Sequence, residues 1–130
     1  MSKKYIPDSS CQYFNEKEET LTREQIEALQ LERLQATVKH CMNSPFYKKR
    51  FEEAGLKPED IKTLDDVRKI PFTTKQDLRE TYPFGMASAP LRDCIRLHSS
   101  SGTTGNPTVI LHTQNDIDEW ANQVARNLWM

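Results

Sequence analysis

The stretch His98-Ser99-Ser100-Ser101-Gly102-Thr103-Thr104-Gly105-Asn106-Pro107-Thr108 decides how the rest of this chain is read. Every residue in it except His98 is Ser, Thr, Gly, Asn or Pro. Apolar runs flank it, Cys94-Ile95-Arg96-Leu97 before and Val109-Ile110-Leu111 after. β-Branched, apolar flanks around a Gly/Ser/Thr segment read as strand, loop, strand. Glycine lets a backbone reach positive φ and approach a ligand closely, and N–H groups turned inward then make an anion nest. The hydroxyls of Ser100, Ser101, Thr103 and Thr104 add uncharged donors, and the guest that suits them is a polyphosphate. Composition alone also permits a solvated turn. A Walker A loop is excluded, because that motif needs G-x-x-x-x-G-K-[ST] opening a helix. Here Asn106 follows the second glycine, and Pro107-Thr108-Val109-Ile110-Leu111 reads as a second strand.

Working outward, strands are predicted over 93–98 and 108–112. After the second, Thr113-Gln114-Asn115-Asp116 caps a helix that places Ile117, Trp120, Ala121, Val124 and Leu128 on one stripe. No Gly or Pro stop follows it before Met130, so the chain reads as interrupted inside an amphipathic helix. Upstream, Thr22-Arg23-Glu24-Gln25 is a capping box, with Leu21 and Ile26 as its staple. Ile26, Leu29, Leu34, Val38 and Cys41 extend the helix to about Met42, with Leu31 off that stripe. Ser44 caps the next helix, Pro45 takes its first position and Gly55 stops it. Helical turns follow over Pro58–Lys62, Thr63–Lys69 and Thr74–Thr81, closed by Pro71, Pro83 and Pro90. The expected organisation is a polar tail over 1–20, docking through Tyr5, Ile6 and Phe14 if at all; a helical subdomain over 21–90; and strand, loop, strand and helix over 91–130.

The bulk properties narrow the function classes. The chain has 130 residues and a formal net charge of −1, which gives no electrostatic reason to expect nucleic acid. Its hydrophobic content of 36% is thin for a self-sufficient core and fits a piece of a larger fold or a helical module with a hungry face. No apolar run approaches the ~18 residues of a membrane span, and the N-terminus lacks the apolar core of a secretory signal. Three scattered cysteines, Cys11, Cys41 and Cys94, fit reduced thiols rather than a disulfide framework or a zinc site. A cytoplasmic protein without membrane attachment is expected. Lys48-Lys49-Arg50 and Arg68-Lys69 read as solvated helix faces. Phe46, Tyr47, Phe72, Tyr82 and Phe84 read as core or interface anchors, while Tyr82-Pro83-Phe84-Gly85-Met86 has the alternative of walling a substrate pocket. His98 borders the loop, either as a structural strand-end residue or as a phosphate contact. His40 and His112 have no partner at meaningful spacing, and no Ser-His-Asp or Cys-His set can be assembled.

Ser-Ser-Gly-Thr-Thr-Gly-x-Pro-Thr resembles the phosphate loop of the acyl-adenylate-forming enzymes. Leu29–Leu34, Ser44-Pro45-Phe46-Tyr47, Ile70–Arg79 and Tyr82-Pro83-Phe84-Gly85-Met86 narrow the resemblance to the phenylacetate–CoA ligases, from about Leu21 to Met130. Many adenylate-forming enzymes have Lys at the place of Thr108, whereas these ligases resemble this chain in having Thr. Asn106 stands where they often have Lys, which implies weaker electrostatics around a retained loop. The resemblance implies an α/β fold, α+β in this portion: an N-terminal helical subdomain and the start of a β-sheet core bearing the loop. It implies a two-step ligase that uses ATP, Mg²⁺ and CoA with a small carboxylic acid. Ser99, Ser100, Ser101, Gly102, Thr103, Thr104 and Gly105 would hold the ATP phosphates. It implies no catalytic residue and no metal ligand within these residues, an inactive chain when alone, and a homodimer; the low apolar content and open final helix add a strand- or helix-exchanged oligomer. Two alternatives stay open: an autonomous helical interaction module with a vestigial loop, and a related ligase for another aryl acid or a cofactor.

Overall fold

The computed structural model describes residues 12–101 and 106–129. Five α-helices and one strand pair occur among them: α1 (Glu16–Glu19), α2 (Arg23–Cys41), α3 (Pro45–Glu53), α4 (Lys75–Glu80), β1 (Cys94–Ser99), β2 (Val109–Thr113) and α5 (Gln114–Trp129). Short 3-10 segments lie at Pro58–Asp60, Leu64–Lys69 and Leu91–Asp93.

Local chemistry sets these boundaries. The Thr22 hydroxyl accepts from the Gln25 N–H, and the Gln25 side chain accepts from the Thr22 N–H, so α2 starts with two orphan donors satisfied. Gly55 has φ +63° and ends α3. The Gly55 N–H donates to Glu52 O and the Leu56 N–H to Phe51 O, the paired bonds of a Schellman stop. That stop folds Leu56 back onto Phe51. Both are buried with Val38 of α2 and with Ile61, and Leu31, Leu34, Tyr47 and Ile70 pack around them. Leu31, off the main stripe by spacing, thus joins the core. The Gln35 side chain donates to Ile61 O at 2.8 Å and ties the turn after Pro58 to α2.

Several expectations change. The helical turns expected over Pro58–Lys62 and Thr63–Lys69 are 3-10 turns at Pro58–Asp60 and Leu64–Lys69, where prolines and Asp caps leave too few residues to propagate i→i−4 bonds. Ser44 occupies the N-cap of α3, yet its hydroxyl makes no capping bond and is buried without a partner among the described residues. The polar tail holds a helical turn, Glu16–Glu19, that no sequence signal marked. Phe14 is buried and packs on Trp129 of α5, 6.5 Å between ring centroids, and Glu19 pairs with Arg126 at 3.3 Å. Tyr5, Ile6 and Cys11 lie outside the described residues.

Arg50 is no solvated cation. It donates to Asp77 of α4 at 2.6 Å and to Phe72 O at 2.8 Å, and lies 5.2 Å from the centre of the Phe46 ring. Phe72 is no core anchor either; its side chain is 90% exposed, and its carbonyl is what the fold uses.

β1 and β2 pair antiparallel. A register shift between Cys94 and Arg96 leaves Ile95 as an extra residue, and Ser99↔Val109 closes the ladder at the loop. The strands match the predicted ones to within a residue, and the mixed helix-plus-hairpin architecture is the expected fold class.

Candidate functional site

The loop leaves β1 at Ser99 and rejoins β2 at Val109, so the hairpin fixes both of its ends. One further rung closes its neck. The Ser100 N–H donates to Thr108 O at 3.1 Å. The Thr108 N–H donates to Ser100 Oγ at 3.0 Å, and the Thr108 hydroxyl meets the same oxygen at 3.1 Å. The Ser99 hydroxyl donates to Ser100 O at 3.2 Å. Ser99, Ser100 and Ser101 are exposed at the loop mouth. Gly102, Thr103, Thr104 and Gly105, the remaining predicted phosphate-holding residues, lie outside the described residues. Asn106 is exposed three residues before β2 begins.

Behind the neck, the hairpin is fastened to α5 by three rings. His98 and His112 lie edge-on, 4.7 Å between centroids. Trp120 of α5 is 5.4 Å from His98 and stacks on His112 at 5.8 Å. His98 therefore acts through packing here, and His112 has partners that sequence spacing did not reveal. The antiparallel register carries the signal. Arg96 lies opposite His112 and His98 opposite Ile110, so both histidines share one face. Asp116 opens α5 by accepting from the Thr113 N–H at 2.7 Å and from its hydroxyl at 2.8 Å. That backbone hydrogen bond, helped by nearby His112 and His40, holds its carboxyl below the ordinary range.

A cleft of about 830 Å³ opens between the helical half and the hairpin. Ala36, Thr37 and His40 of α2 form one wall; Pro83, Phe84 and Met86 form another; His112, Thr113 and Asp116 form a third. Three residues of the Tyr82–Met86 block, Pro83, Phe84 and Met86, thus line a cavity. Gly85 is required in that wall, because a Cβ there would meet Thr81 O at 2.7 Å. The Tyr82–Pro83 peptide bond is cis. Burial pushes the Cys41 thiol up. No group of three or more His, Cys, Asp or Glu side chains that could hold a metal ion occurs among the described residues. No helix among them is long and apolar enough to cross a membrane.

No protein-family model matches the chain. Individual proteins do. The phenylacetate-coenzyme A ligase of Escherichia coli (strain K12) is 52% identical over 111 residues, 85% of this chain and 25% of that protein. The chain is homologous to the phenylacetate–CoA ligases. The ligase of that name from Thermus thermophilus is 48% identical over the same share of the chain. A crystal structure of 2-hydroxyisobutyryl-CoA ligase in complex with 2-HIB-AMP and CoA, in the thioesterification state, superposes with a TM-score of 0.87 and 32% identity. It covers 97% of this chain and 28% of that one. The fold therefore matches part of an adenylate-forming ligase. The chain spans about a quarter of the length of the phenylacetate–CoA ligases it matches.

Proposed function

We propose that this chain forms the phosphate-gripping part of an ATP-dependent acid–thiol ligase that acts on phenylacetate. In the first step a carboxylate oxygen attacks the α-phosphorus of ATP, the bond from that phosphorus to the bridging oxygen breaks, and pyrophosphate leaves. In the second, the thiolate of CoA attacks the acyl carbon and AMP departs with the carbon–oxygen electron pair. The substrate brings its own nucleophile, so the protein's contribution is positioning and charge stabilisation. Ser99, Ser100, Ser101, Gly102, Thr103, Thr104 and Gly105 supply hydroxyl and backbone donors to the β- and γ-phosphates. Mg²⁺, when bound, would neutralise charge on the ATP phosphates, and no residue described in this chain is assigned to hold it. The rest of the machinery, including the acyl pocket and the CoA site, is assigned to no residue of this chain, and the 130 residues alone are expected to catalyse neither half-reaction. A cytoplasmic location is part of the same reading.

The observation that carries it is the Ser/Thr/Gly loop held at its neck by a strand pair, within a stretch about half identical to phenylacetate–CoA ligases. The test is a graft in which the matched residues of this chain replace their counterparts in the E. coli ligase. Thr103→Ala with Thr104→Ala in the graft is expected to raise KM for ATP about tenfold, roughly one charge-assisted hydrogen bond, and to leave KM for phenylacetate unchanged. An unchanged KM for ATP would remove the loop from the site.

One observation favours a second reading, an interaction module that self-associates. The stripe of α5 is open, with Trp120 47%, Val124 46% and Leu128 83% exposed. A homodimer, or an oligomer exchanging strand or helix, would cover it.

A further inference from the structure

We propose that Thr108 is a positioning residue that acts through Ser100. This rests on the phosphate-binding reading above and adds a residue to it. A serine hydroxyl has one proton to give and two lone pairs to fill. In the neck rung, Ser100 Oγ accepts from both the N–H and the hydroxyl of Thr108. Its lone pairs are thereby occupied by one residue of the opposite strand. The oxygen is fixed from behind, and its proton is left to point away from the neck. Among the described residues no acceptor is placed for that proton, and Ser100 is exposed at the mouth. The backbone bond from the Ser100 N–H to Thr108 O holds the two residues at this spacing, so the arrangement needs no movement when an anion arrives.

The consequence is chemical selectivity in the donor. A free serine hydroxyl rotates and offers proton or lone pair alike. Ser100, with both lone pairs taken, is a donor only. A donor already oriented toward an anionic oxygen costs no reorganisation on binding. Valine at 108 would keep the β-branched shape and the backbone rung but free one lone pair and let the Ser100 hydroxyl rotate.

The test is a titration of the ¹⁵N-labelled chain with inorganic tripolyphosphate, read from the amide shifts of Ser99, Ser100, Ser101 and Thr108. The unsubstituted chain is expected to show a saturable shift in the millimolar range or better. Thr108→Val and Ser100→Ala are each expected to weaken it about tenfold. The double substitution is expected to be no weaker than Ser100→Ala, because Thr108 acts through that hydroxyl. Thr108→Ser is expected to restore binding to within twofold, and it keeps the test decisive if valine disturbs the hairpin. Binding by Thr108→Val equal to the unsubstituted chain, or losses that multiply in the double variant, would overturn the positioning role and leave the phosphate reading standing. No saturable shift in the unsubstituted chain would overturn both.

Discussion

Asp77 shows how single residues hold the helical half together. Its carboxylate accepts from the Thr74 N–H at 2.6 Å and from the Thr74 hydroxyl at 2.9 Å, and it takes Arg50 on its other oxygen. The Thr74 backbone bond, then the Thr74 hydroxyl, then Arg50 hold its pKa below the ordinary carboxylate value. Asp66 is likewise held well below the ordinary range, by Lys69 first and then by the N–H groups of Lys62 and Thr63. A depressed folded pKa contributes stability above the unfolded pKa of about 3.9, and that stability is lost as pH falls through the lower folded value. The urea midpoint is therefore expected to be flat from about pH 7 to 5 and to fall below about pH 4. Asp77→Asn should lower the midpoint at pH 7 and flatten that acid limb; an unchanged limb would mean that Arg50 and Thr74 do not hold the charge in solution. At this scale the sequence showed what is local. Thr22 with Gln25, Thr74 as a cap and Gly55 as a stop all act within four residues of themselves. Arg50 with Asp77, 27 residues apart, was invisible, because nothing in spacing marks which of several cations meets which carboxylate.

At the scale of elements, periodicity worked where an element is long or capped. α2 and α5 begin within a residue of their expected starts, and both strands fall where β-branched runs flank the loop. It did less well for short pieces. The turns after Pro58 and Thr63 were read as helical without their 3-10 geometry, and the tail hides a helical turn behind acidic residues with no apolar spacing. The ring contact of His98, His112 and Trp120 needed the strand register, which follows from where the loop is pinned. The exposed stripe of α5 supplies a prediction at this scale. Val124→Glu with Leu128→Glu should shift the chain toward monomer in sedimentation at micromolar concentration while leaving far-UV helicity within about a tenth. Equal sedimentation of both forms would show that this stripe does not drive association.

For the whole molecule, burial is uneven. Val38, Phe51, Leu56 and Ile61 make one small core in the helical half, whereas Ile95, Leu97, Ile110, Trp120 and Val124 of the other half remain about half exposed. A hairpin and helix that bury so little alone match a chain that spans a quarter of its relatives. The low apolar content pointed to this imbalance, and the Ser/Thr/Gly loop pointed to the ligase fold. Which acid is used was not legible, since no residue here is assigned to an acyl pocket. The central claim is that these residues are a working part of a phenylacetate-activating ligase. It is tested most directly by phenylacetate-dependent ATP–pyrophosphate exchange, measured on the E. coli ligase carrying this chain's matched residues and on the 130-residue chain alone. Exchange is expected within about tenfold of the unaltered ligase in the graft and none from the chain alone. A graft that folds but does not exchange, or a chain that exchanges without the rest of the ligase, would contradict it.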